Sequence, residues 1–291
     1  MNLYMRSIGF SNMDDEDIAD LKDLVQTTSD KRRSVGIQDR QVCVEYYKDV
    51  GAGIGLRLNG VLDEREKFHC NYIFPCANSD IEEHIKKYHV HLHNNIPMII
   101  YSDTISNNEM IFALQNTIDY NANEKEFLEM GANRLKNKIV QVAALCVGAT
   151  VIFPTAKATK QNTEDIYYSN IVLRSKEGHQ KVATTYNEKS KSAIRTRLKG
   201  EDLLSIVDSY FLPTFLPTDE SGGFPYDILG NIQTSSLVQN TETGEEIYKI
   251  TINAAGVHLQ VFINKYDLLG VPLDGMRFMG SCVLQGNVFF D

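Results

Sequence analysis

The sequence predicts an α+β protein: an N-terminal antiparallel sheet with helices, followed by a C-terminal OB-like small β-barrel. Three observations carry this reading. They are an acid-capped helical period near the start, a series of short β-branched and aromatic runs between residues 42 and 74, and strict period-two alternation after residue 248. With 291 residues, 43 % hydrophobic and 23 % charged, the chain has an ordinary globular composition and a length of about two domains. Disorder, collagen and coiled-coil rods are excluded.

In chain order, Ser11 and Asn12 offer cap residues, and Asp14 to Asp17 bring negative charge to a helix N-terminus. Ile18, Leu21, Leu24 and Val25 follow at helical spacing, so a helix is expected from Asp14 to Thr27. Val42 to Tyr47, Gly53 to Leu58 and Phe68 to Phe74 read as consecutive antiparallel strands. Gly51-Ala-Gly53-Ile-Gly55 lacks the strand, turn and helix order of a phosphate loop, so it reads as a turn or bulge. Met110, Ile111, Leu114 and Ile118 predict a helix over Asn107 to Tyr120, and Ile139 to Phe153 predicts two buried strands turning near Gly148. That run is too short, and too interrupted, to span a membrane as a helix.

These elements form an α+β domain over residues 1–212, with a basic polar segment at 174–200. The segment holds eight basic residues against two acidic ones, with Lys191, Arg195 and Arg197 as its candidate partner contacts. A helix is expected over Glu201 to Phe211. Phe211-Leu-Pro-Thr214 is then repeated as Phe215-Leu-Pro-Thr218, and two prolines four apart cannot continue a helix. Residues 213–225 are therefore assigned as a Pro/Gly-rich linker.

The barrel is assigned to residues 226–291. Ile232 to Gln239 reads as a strand, joined through the turn Asn240 to Gly244 to a second in which Tyr248, Ile250, Ile252 and Ala254 alternate with polar residues. A third strand alternates Val257, Leu259, Val261 and Ile263 with His258, Gln260 and Phe262. After the connector Lys265 to Gly270, Arg277 to Gln285 and Asn287 to Phe290 predict two more strands broken by Gly286. On the open face, Lys249, His258 and Phe262 are the candidate contacts to a partner.

The net charge of −9 weighs against nucleic-acid or anionic-membrane binding through bulk electrostatics and favours a protein partner. Five sparse cysteines in mostly apolar runs, and no signal-peptide core, suggest reduced thiols in a cytosolic protein. No catalytic motif and no cofactor motif is found: Gly-x-Ser-x-Gly, His-Glu-x-x-His and Cys-x-x-Cys patterns are all missing. The densest set of potential ligands is His89, His91 and His93. On a strand they share one face, where two imidazoles reach an ion readily and three need a bend. A non-enzymatic binding or scaffold protein is expected, with a metal-binding protein or metal-dependent enzyme, and an RNA-associated protein, as the alternatives.

A series of short phrases adds a resemblance. Arg6-Ser-Ile-Gly-Phe-Ser11, Gly53-Ile-Gly55, the run Asp202 to Phe211, Tyr226-Asp-Ile-Leu-Gly230, Thr243-Gly-Glu-Glu246, Asp267-Leu-Leu-Gly270, Arg277-Phe-Met-Gly280 and Leu284-Gln-Gly286 stand in this order along nearly the whole chain. Together they resemble a family of uncharacterised cytosolic proteins, a domain of unknown function from anaerobic Gram-positive bacteria. The resemblance implies no reaction, cofactor or catalytic residue, and the histidine trio lies outside it.

Overall fold

The structure, a computed structural model, describes residues 3–36, 41–84, 87–93, 96–102, 109–130, 139–152, 215–217, 226–254 and 256–289. The basic segment with Lys191, Arg195 and Arg197, the expected helix over 201–211 and most of the proposed linker lie outside the described residues.

A 3-10 helix (Leu3–Ile8) leads into α1 (Asp15–Thr28). The Asp14 carboxylate accepts from the Glu16 and Asp17 amides at 2.9 and 3.0 Å, and the Asp17 carboxylate accepts from the Asp14 amide at 2.9 Å. This reciprocal cap satisfies amides that the first helical turn leaves without partners. The chain then forms an antiparallel four-stranded meander of β1 (Lys31–Gly36), β2 (Val42–Gly51), β3 (Ile54–Leu62) and β4 (Phe68–Ala77). The glycine cluster is the β2–β3 turn, where Gly51 and Gly53 take positive φ.

A second, mixed sheet takes up all the remaining described strands. They are β5 (Glu83–His84), β6 (Lys87–His93), β7 (Ile96–Ser102), β8 (Glu109–Leu114), β9 (Ile139–Ile152), β10 (Phe215–Pro217), β11 (Tyr226–Gln239), β12 (Glu246–Ala254), β13 (Val257–Asn264), β14 (Leu268–Leu269) and β15 (Arg277–Val288). Its order is β10-β11-β12-β13-β9-β15-β8-β7-β6, and β11 also pairs with β15. Helix α2 (Thr117–Met130) stands between β8 and β9 in the chain. Among the described residues the protein is thus mostly β-sheet, with two α-helices.

The expected strands β11, β12 and β13 form, with β11 starting earlier, at Tyr226, but the C-terminal strands do not close into a self-contained OB-like barrel. Strand β9, from the other side of residues 213–225, lies between β13, which it meets in parallel, and β15, which it meets antiparallel. The sheet then continues through β8 and β7 to β6. Two further expectations are corrected. Ile139 to Ile152 is one strand, not a hairpin, and Glu109 to Leu114 is a strand, with the helix starting only at Thr117.

Strand β9 explains its own unbroken apolar sequence. Val140, Val142, Ala144 and Cys146 face one core, together with Ile250, Ile252, Val261, Phe278 and Leu284. Ala143 and Leu145 face a second core, with Phe262, Ile247, Val44, Leu56 and Leu58, Leu21 and Val25 of α1, and Met5 and Ile8. A strand buried on both faces needs no alternation.

Candidate functional site

The most exposed apolar group of the described residues is the turn between β13 and β15. Asn264 ends β13 and its side-chain oxygen accepts from the Tyr266 amide at 3.0 Å, starting a short 3-10 helix, Lys265–Asp267. Arg6 grips Asp267 through Nε at 2.6 Å and Nη2 at 2.5 Å. Leu268 is buried where β14 pairs in parallel with Ala149 and Thr150 of β9. Beyond it the Ser235 hydroxyl donates to the Pro272 carbonyl at 2.5 Å, and backbone bonds join Ile232 to Met276 and Gly275 at 2.7 and 2.9 Å.

Both ends of the turn are therefore fixed while its apolar side chains stay in solvent. Tyr266 is 81 % exposed, Val271 60 % and Leu273 53 %, with Leu269 also exposed. Exposed Leu237 stands two residues beyond Ser235 on β11. Lys265 and Asp274 supply charge around them. Single exposed apolar residues are ordinary on protein surfaces, whereas here Tyr266, Leu269, Val271 and Leu273 are exposed together on one tethered turn.

Between β2 and β3 of the four-stranded sheet lies a buried ion pair. Glu45 of β2 is 2 % exposed, and Arg57 of β3 donates to its Oε1 at 2.6 Å while lying 5.1 Å from the Tyr47 ring centroid. Burial raises the Glu45 pKa, and the Arg57 and Arg33 cations oppose that rise. Burial also pushes the Cys76 thiol up to about 12, against the pull of Arg57. Such a thiol stays protonated for as long as it remains buried. Glu45 Oε2, Arg57 Nε and Asn59 Nδ2 have no hydrogen-bond partner among the described residues.

The sequence candidates fall in different places. His89, His91 and His93 occupy alternate positions on β6, the last strand in the sheet order, opposite Ile100, Met98 and Ile96 of β7. Their side chains lie outside those described. Among the described residues, no three His, Cys, Asp or Glu side chains come together as a metal cluster. Lys249 is tied to Asp80 at 2.5 Å and lies over the Phe262 ring at 5.8 Å. His258 is exposed, its Nε2 2.9 Å from Asn253 Nδ2. Phe262 is fully buried, because the four-stranded sheet and the 3-10 helix cover the face that the alternation pattern leaves open. The RNA alternative therefore has no exposed aromatic at Phe262 on which to stack a base.

Sequence reasoning read Lys265 to Gly270 as a connector and missed the exposed turn. The one available signal was Leu268-Leu-Gly-Val-Pro-Leu273, an apolar run without strand or helix periodicity.

The fold and its surfaces define a mostly β protein with two cores, a buried ion pair and an anchored apolar turn. The chain belongs to the family described as "Domain of unknown function, E. rectale Gene description (DUF3881)", whose model matches residues 5–286. No curated protein and no solved structure matches the chain. No helix among the described residues is long and apolar enough to cross a membrane.

Proposed function

We propose that this chain is a non-enzymatic cytosolic binding or scaffold protein, and that it contacts another protein through the turn at residues 265–276. The observation that supports the reading is the exposure of Tyr266, Val271 and Leu273 on a turn tethered at both ends. A preformed apolar surface loses little conformational entropy when it is covered, and it excludes water from the contact. The acidic composition suits a protein partner better than a nucleic acid.

A native pull-down from the producing cells, with and without nuclease, tests this. A stoichiometric protein partner that survives nuclease is expected. Partners that vanish with nuclease would replace this reading by RNA association, with Lys191, Arg195 and Arg197 as its next test.

A second reading is favoured by one observation, the alternate spacing of His89, His91 and His93 along an observed strand. Here the chain binds a divalent transition metal. Metal analysis of protein purified without a histidine tag decides it, since a tight site retains close to one equivalent and less than about a tenth disposes of it.

A further inference from the structure

We infer that Cys146 and Cys282 form a dithiol site that closes to a disulfide when a small hydroperoxide reaches it. The two residues stand opposite each other on the antiparallel strands β9 and β15, and both face the first core. Directly opposed residues on such strands have Cα separations within the span of a disulfide. Both side chains are fully buried, and each is a free thiol.

The local backbone is shaped around the pair. The β9–β15 ladder slips register between Gly280 and Cys282. A Cβ on Gly280 would lie 2.9 Å from the Cys146 sulfur and 2.7 Å from the Ala149 methyl, so glycine leaves the room that the thiol fills. The Cys146 Sγ sits 3.2 Å from the Ser281 carbonyl oxygen and 3.3 Å from that of Gly148.

The chemistry balances with the hydroperoxide as the oxidant. One sulfur, as its thiolate, attacks the O–O bond, forming a sulfenic acid and releasing the alcohol, or water when the oxidant is hydrogen peroxide. The second thiol then attacks the sulfenic sulfur, forming the S–S bond and releasing water. Two thiols lose two electrons and two protons, and the hydroperoxide takes up both. Burial raises the Cys282 pKa, so the reaction waits for local opening at the bulge and runs behind that of exposed Cys70. The product joins β9 to β15 covalently and closes everything from residue 146 to 282 into one loop, which restrains the unfolded chain.

The test uses the full chain, reduced, freed of reductant and treated with hydrogen peroxide, then quenched over time by alkylation in denaturant. Peptide mapping is expected to give a monomeric product with the Cys146 and Cys282 peptides linked, a mass lower by two hydrogens for that pair, and a raised Tm. Cys282→Ala is expected to abolish both the link and the Tm shift. Recovery of the two peptides separately alkylated after Cys70 has been oxidised would overturn the inference. Linkage of either residue to Cys43, Cys70 or Cys76 would overturn it equally. If the alanine variant does not fold, the mapping of the unaltered chain decides alone.

Discussion

Asn240 ties two backbone segments together with one amide. Fully buried, it accepts from the Glu242 and Thr243 amides at 2.8 and 3.1 Å and donates to the Ile8 carbonyl at 2.7 Å. Asn240→Ala leaves the buried Ile8 carbonyl unpaired and gives the amides of the exposed turn residues Glu242 and Thr243 back to water, so a loss of about 1–3 kcal/mol is expected in urea denaturation. A loss under about 1 kcal/mol would show that the turn satisfies itself without this side chain. Asp80 makes a smaller, pH-dependent contribution. The Lys249 ammonium holds its carboxyl below the usual range, so the stabilisation is present above the unfolded value of 3.8 and is lost as pH falls through the lowered folded value. Because Asp80 is largely exposed, the effect is under about 1 kcal/mol, and Asp80→Asn is expected to flatten only that part of the acid limb. Glu45 has the opposite sign. Its raised pKa favours the folded state below the carboxylate range, and that contribution fades as pH rises through the folded value.

Elements whose form is encoded in a local cap, composition or alternation were the most legible. Helix α1 begins within a residue of its expected start because its cap is encoded locally, and Asp14→Ala is expected to cost about 1 kcal/mol by thermal unfolding. Strands β2, β3, β12 and β13 likewise follow from β-rich composition and alternation. Elements whose form depends on distant partners were misread. Met110, Phe112 and Leu114 are all buried at period two, yet Ile111, Leu114 and Ile118 also fit a helix, and only the pairing of β8 with β7 and β15 decides between them. Gly286 looked like a strand break. It instead lies within β15, where a Cβ would come within 2.9 Å of the Gln141 carbonyl oxygen and the Phe112 ring. Gly286→Ala should therefore strain the junction of β8, β9 and β15, and a lowered Tm with the same sheet content by circular dichroism is expected.

At the scale of the whole molecule, β9 and β13 form the wall that the two cores share. That wall explains why Phe262 was placed on the correct face of its strand yet proved unavailable to a partner: the alternation pattern shows which side a residue occupies, not what covers that side. For the same reason the turn at residues 265–276 could not be recognised from sequence, since its exposure depends on anchors at Arg6, Thr150, Ile232 and Ser235. The central claim is that this turn is a protein-binding surface. It is tested most directly by comparing the native pull-down of the unaltered chain with that of Val271→Asp/Leu273→Asp. Both side chains are more than half exposed, so the substitutions should leave Tm unchanged within about 2 °C. The account predicts that the nuclease-resistant partner of the unaltered chain is lost by the variant. Retention of that same partner by a folded variant would contradict it.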